Sequence, residues 1–176
     1  MTHPPAPWRL RGEIMVIPHG ATSGLFLATY TGETLAYHEL IVFRPGLVVS
    51  HIYVDDERSL AGGREIWNLP KELAEFRVSP GRFEVRRDGE LLLRARVRRR
   101  SGRLPLVIPT PAVGELDGDP VLAVGRARIR AAPALVALEG RYLTGRRLGL
   151  AGDALELTMP GPLRRSAGTR ARRRAS

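Results

Sequence analysis

The sequence predicts a mainly β protein with minor α, built on an antiparallel sheet that curls into a barrel or sandwich. Three observations predict it. Short apolar or alternating runs recur at roughly 8–15 residue intervals along most of the chain. Glycine, proline and Asp-Gly turn signals fall between them. No long amphipathic segments stand between successive runs, which argues against crossover helices and a doubly wound parallel sheet.

The first four strands are expected over residues 13–17, 25–30, 38–43 and 47–54. The clearest stretch follows, where Phe76 and Val78, then Phe83 and Val85, then Leu91, Leu93, Ala95 and Val97 alternate with polar residues. Pro80-Gly81 and Asp88-Gly89 mark the breaks, and Asp-Gly between alternating runs signals a tight hairpin because its turn needs positive φ. Further strands are expected over 104–109, over 121–130 after the turn at 117–120, and over 154–159. The arginines of 94–100 read as the solvated face of a strand. The main helical expectation lies at 59–76, where Ile66, Leu69, Leu73 and Phe76 share a helical spacing. Pro70 breaks that helix and suits the first turn of a second, short one around 70–76.

With 176 residues the chain is long enough to bury a core without disulfide or metal staples, and it has no cysteine. Its four histidines, His3, His19, His38 and His51, lack the paired spacing of a metal site, so neither metal nor cofactor is expected. The start lacks a signal-peptide pattern and no apolar run approaches a bilayer span, so a soluble, cytoplasmic protein without a membrane partner is expected. The net charge is +10, and six of the excess positive charges are arginines in the last sixteen residues, which contain no acid. Residues 1–160 are therefore expected to form one domain, and 161–176 a basic, disordered tail. Such a tail binds nucleic acid non-specifically at most; no stacking or groove-reading motif accompanies it.

One count outweighs the charge. Of 28 basic residues 27 are arginine, and the single lysine is Lys71. Guanidinium stays charged in proteins, whereas an amine can be made neutral and nucleophilic by burial. A lone lysine in an arginine-rich chain is a candidate for chemistry that arginine cannot perform. In the first turn of a short helix, near Trp67, Leu69 and Leu73, both the helix dipole and desolvation would disfavour its ammonium form.

Residues 53–76 then carry a recognisable pattern: Tyr53, Asp55 and Glu57, Ala61, the triplet Gly63-Arg64-Glu65, and Pro70-Lys71 with Leu73 following. This segment resembles the acetoacetate decarboxylase family, and a weaker likeness extends upstream to Tyr37-His38-Glu39. The resemblance implies a curved antiparallel β-barrel around a small apolar pocket, oligomeric assembly, and a carbon–carbon lyase that decarboxylates a small β-keto acid through an imine on Lys71. It implies catalytic roles for Lys71 and Glu39, and substrate-binding positions at Glu65, Arg64 and Tyr53, with a structural role for Arg64 the stronger alternative. An arginine near the substrate carboxylate falls in the region of Arg9 or Arg11. Where the family usually carries a second lysine after the reactive one, this chain has Glu72. The competing expectation is a non-catalytic small-molecule-binding protein on the same barrel.

Overall fold

A computed structural model describes residues 2–46, 48–99, 102–116 and 119–162, with side chains described for all of these except 98, 99, 109, 111–116 and 119–122. The expected turn at Asp117-Gly118, Arg100, and all but the first two residues of the expected tail lie outside the described residues.

The class expected from the sequence holds. Eleven strands and one helix are described: β1 (Trp8–Pro18), β2 (Gly24–Glu33), β3 (Ala36–Arg44), β4 (Val48–Val54), α1 (Glu57–Trp67), β5 (Lys71–Leu73), β6 (Glu75–Ser79), β7 (Arg82–Arg87), β8 (Glu90–Arg99), β9 (Leu104–Leu116), β10 (Asp119–Glu139) and β11 (Gly145–Met159). They form one sheet in the order β5-β4-β3-β2-β1-β11-β10-β8-β7-β6, with β9 paired to β10. Every described ladder is antiparallel except β4 with β5.

The barrel is therefore not closed by hydrogen bonds. The two ends of the sheet, β5 and β6, are neighbours in the chain, separated only by Ala74. The expected turns are in place. Asp88 and Gly89 both have positive φ, 50° and 80°, and join β7 to β8, while Gly81 at φ 71° joins β6 to β7.

Alternation along the early strands feeds two cores. Leu10, Tyr30, Tyr37, Ile52 and Val54 enter one, with Trp8, Trp67 and the inner residues of β10 and β11, such as Ala127 and Leu157. Ile17, Leu27, Leu40 and Tyr53 enter the other, with Val85, Leu93 and Val136. Strands covered on both faces read as nearly continuous apolar runs, as β3 and β4 do.

The helix is the main correction. It spans Glu57–Trp67, and no helix occupies 70–76: Lys71–Leu73 is β5 and Glu75–Ser79 begins the meander. Asp56, extended at φ −121°, opens the helix by accepting the Ser59 N–H on its carboxylate. Asn68 closes it in the left-handed region, at φ 49°, with its N–H on the Arg64 carbonyl and the Leu69 N–H on that of Gly63. After such a stop Pro70 leads into extended chain, and Lys71–Leu73 is captured by parallel pairing with Ile52–Val54. Nothing local announces that pairing. The helix-dipole argument for Lys71 therefore falls away, and its environment is set by β5 instead.

Candidate functional site

Pairing of Ile52 with Lys71 puts the lysine side chain on the same face as Ile52 and Val54, inside the first core. Its residue surface is only 3% exposed. The stem crosses α1 at Gly63, where a Cβ would stand 2.6 Å from Lys71 Cε and nearer still to Cδ. The next glycine, Gly62, plays the same part for Trp8, with a hypothetical Cβ 2.8 Å from Cη2 of the indole. Two adjacent glycines thus let the helix receive an amine stem and an indole side by side.

The amine itself has two polar partners. Lys71 Nζ lies 2.9 Å from Glu39 Oε1 and donates to Ser59 Oγ at 3.0 Å. Glu39 is buried, on β3, and its other oxygen accepts the Tyr30 hydroxyl at 3.2 Å. The Tyr37 ring centroid lies 5.1 Å from Nζ and that of Trp8 5.8 Å, within reach of cation–π attraction. Trp67 packs edge-on against Trp8 with centroids 4.9 Å apart, and Tyr30 lies 4.7 Å from Tyr37. Burial, reinforced by the Glu39 charge, pushes both Tyr30 and Tyr37 phenols well above their ordinary range, so both stay protonated. Tyr30 is then a fixed donor to the carboxylate.

Of the residues expected to form the site, the structure brings Lys71 and Glu39 into direct contact. Arg64 touches the lysine segment but not the amine: its Nε and Nη2 donate to the Lys71 carbonyl at 2.9 and 2.6 Å. Glu65 points away, exposed, and accepts from His3 Nε2 at 3.0 Å. Tyr53 enters the second core, where its hydroxyl lies 2.6 Å from that of Tyr142. Arg9 and Arg11 alternate outward on β1, and Arg11 pairs with Glu33 at 2.6 Å. Glu72 is turned to the opposite side of β5 from its neighbour and pairs with Arg87. Leu73 is 43% exposed and does not desolvate the amine.

The sequence reading missed Ser59, Trp8 and Tyr30. Ser59 carries no pattern beyond a helix start, and the two aromatics come from β1 and β2, distant in sequence. Among the described residues, no group of three or more histidine or acidic side chains is placed to hold a metal ion. No described helix is long and apolar enough to cross a membrane.

The segment before β1 straps α1. Trp8 Nε1 donates to the Pro4 carbonyl, and the two ring nitrogens of His3 face the Pro4 carbonyl and Glu65, each at 3.0 Å. The Pro4 carbonyl, with help from Glu65, raises the His3 pKa against the opposing effect of burial. A raised pKa in the folded state contributes stability fully below the ordinary value of 6.5 and loses it as pH rises through the raised value. Hydrogen exchange at the Trp8 indole N–H, which donates to the Pro4 carbonyl, should therefore be faster above neutrality than at pH 6 once corrected for intrinsic rates. A Glu65→Gln variant should flatten that difference.

Comparison with known proteins agrees with this architecture. The family model for acetoacetate decarboxylase matches residues 17–108, more than half of the chain, including Glu39, Ser59 and Lys71. Among solved structures, the chain is similar to an acetoacetate decarboxylase from Legionella pneumophila subsp. pneumophila str. Philadelphia 1. That match has 16% identity and a TM-score of 0.56, and covers 92% of this chain and 88% of the other. A second structure, described as from structural studies of acetoacetate decarboxylase, matches with 14% identity and a TM-score of 0.52, covering 91% and 88%. No curated protein matches the chain in sequence. With a family match across more than half of its length and the same fold in two solved members, the chain belongs to the acetoacetate decarboxylase family.

Proposed function

We propose that the protein is a Schiff-base-forming lyase that decarboxylates a small β-keto acid through Lys71. The observation that carries this reading is the position of the only lysine: its amine is buried against a carboxylate and a hydroxyl, beneath two aromatic faces.

Each partner has a task in such a reaction. Glu39 Oε1, 2.9 Å from Nζ, accepts a proton from the ammonium and leaves a free amine. The amine attacks the substrate ketone, and the carbinolamine loses water as Glu39 returns the proton. The product is a protonated imine, whose positive charge replaces that of the ammonium between Glu39 and the rings of Tyr37 and Trp8. Electrons of the C–CO₂⁻ bond move into the iminium, carbon dioxide leaves, and an enamine remains. Protonation at carbon and hydrolysis by water release the ketone and restore Lys71. Activation of a lysine by its surroundings is the general strategy, for which acetoacetate decarboxylase is itself a standard illustration. Here the means on hand are a dry site and a hydrogen-bonded carboxylate. The position after the lysine supplies no second cation, since Glu72 is spent on Arg87.

Borohydride reduction in the presence of acetoacetate tests the reading. Because the chain has one lysine, the only amines available are Nζ of Lys71 and the chain's own N-terminus. Mass spectrometry of the digested protein should place the reduced adduct on the Lys71 peptide, with carbon dioxide released when borohydride is omitted. A panel of keto acids that yields no Lys71 adduct would reject it. The second reading, a non-catalytic ligand-binding protein, draws on one observation: Nζ is already engaged by Glu39 and Ser59. It is distinguished by ligand binding that survives Lys71→Ala.

A further inference from the structure

The outer face of the β6–β8 meander carries two transverse rows of side chains two residues apart. In the first, cross-strand neighbours run Arg77, Glu84, Arg94, Glu139. The signs alternate, and both carboxylates are paired: Arg94 binds Glu84 and Glu139, each at 2.8 Å, and Glu84 also binds Arg86 at 2.8 Å. In the second row the neighbours run Ser79, Arg82, Arg96, Ala137, Arg146. That row has three guanidinium groups and no carboxylate. Arg82 and Arg96 stand directly opposite one another, both exposed, and neither makes an ion pair with any described residue. Like charges directly opposite across a ladder are destabilising. The sheet thus balances one row completely and leaves its neighbour uncompensated.

The imbalance coincides with a cavity. A groove of about 280 Å³ is lined by Ser79, Arg82 and Arg96 of the second row and by Arg77, Glu84 and Arg94 of the first, the one carboxylate, Glu84, being held by Arg86 and Arg94. None of its lining residues belongs to the Lys71 site. Neighbouring strands are about 4.8 Å apart, so Arg82 and Arg96 present two planar forks side by side, a geometry suited to bidentate contacts with phosphate oxygens. Ser79 adds a hydroxyl donor at the end of the row. At about 280 Å³ the groove fits a compact ligand better than a long polymer.

We propose that this groove binds a compact oligophosphate, free or carried by a nucleotide, clamped between Arg82 and Arg96 with Arg77 and Ser79 at its rim. The ligand's charge supplies what the second row lacks.

Calorimetric titration of the full chain with inorganic tripolyphosphate, with ATP and with sulfate, in roughly 0.1 M NaCl, tests the proposal. Tripolyphosphate should bind with one-to-one stoichiometry, and sulfate much more weakly. Equal affinity for ATP would make the phosphate chain the whole determinant, and tighter binding would add a nucleoside contact; both outcomes support the groove. Arg82→Gln/Arg96→Gln should weaken tripolyphosphate binding by about tenfold or more. The charge-matched control Arg172→Gln/Arg173→Gln, in the C-terminal arginine segment, should change it by less than about twofold. Without ligand, the groove variant should melt no lower than the parent, because a repulsive pair has been removed; this also checks that it folds. Three results would overturn the proposal: no binding of tripolyphosphate, equal losses in groove and control variants, or sulfate binding as tightly as tripolyphosphate.

Discussion

Lys71→Met should cost the folded protein about 3–5 kcal/mol, because it strands the Glu39 carboxylate in the core without its cation. Glu39 is 5% exposed and keeps only the Tyr30 hydroxyl. Glu39→Leu should cost a comparable amount, since it leaves an ammonium between Ser59 and two aromatic rings. Lys71→Met/Glu39→Leu removes both charges together and should be far less destabilised than the sum of the two, with coupling at the upper end of the roughly 0.5–3 kcal/mol seen for contacting groups. Urea denaturation of the four proteins measures the cycle. Additive losses would mean that the two groups do not form a dry ion pair, and the proposed proton transfer would lose its basis. Borohydride trapping on the peptide that contains position 71 should vanish in every variant lacking Lys71, whatever its stability.

Gly63→Ala should act in the direction opposite to helix propensity. Inside a helix, alanine in place of glycine ordinarily stabilises by about 1 kcal/mol. At Gly63 the new methyl would collide with the Lys71 stem, with 2.6 Å to Cε. Overpacking of this kind costs about 1–3 kcal/mol, so the net change should be destabilising. The collision also displaces the amine from Glu39 and Ser59, so adduct formation should fall more than stability does. A thermal melt and a trapping assay on the same sample separate the two effects. A variant that is more stable and traps normally would show that the lysine does not lie across the helix as described.

Much of this molecule was legible because strand alternation and turn chemistry are local. Asp88-Gly89 announces its hairpin through the positive φ that both residues adopt. Lysine rarity pointed to Lys71, and the Tyr37-His38-Glu39 segment placed its carboxylate partner. The lysine's own secondary structure was not legible. Leu69, Leu73 and Phe76 have helical spacing, yet the Asn68 stop ends the helix at Trp67, and pairing with β4 decides the rest. Tyr53 and Glu65 lie in the recognisable segment without facing the amine. Neighbours along a strand point to opposite sides, so Tyr53 serves the other core while Ile52 and Val54 flank the lysine. The Trp8 contribution depends on β1 packing against α1, which no local pattern encodes, and that of Tyr30 on the β2–β3 register that sets its hydroxyl on Glu39.

Arg64 has a consequence for how the chain behaves among its own copies. The peptide group of Lys71 sits in a three-residue terminal strand paired on one side only, the sort of open template on which a foreign backbone can dock. The guanidinium occupies the Lys71 carbonyl with two donors, where an invading strand would have to make its bond. One arginine thereby guards the β5 edge against aggregation by strand addition, without any contact to the Lys71 amine.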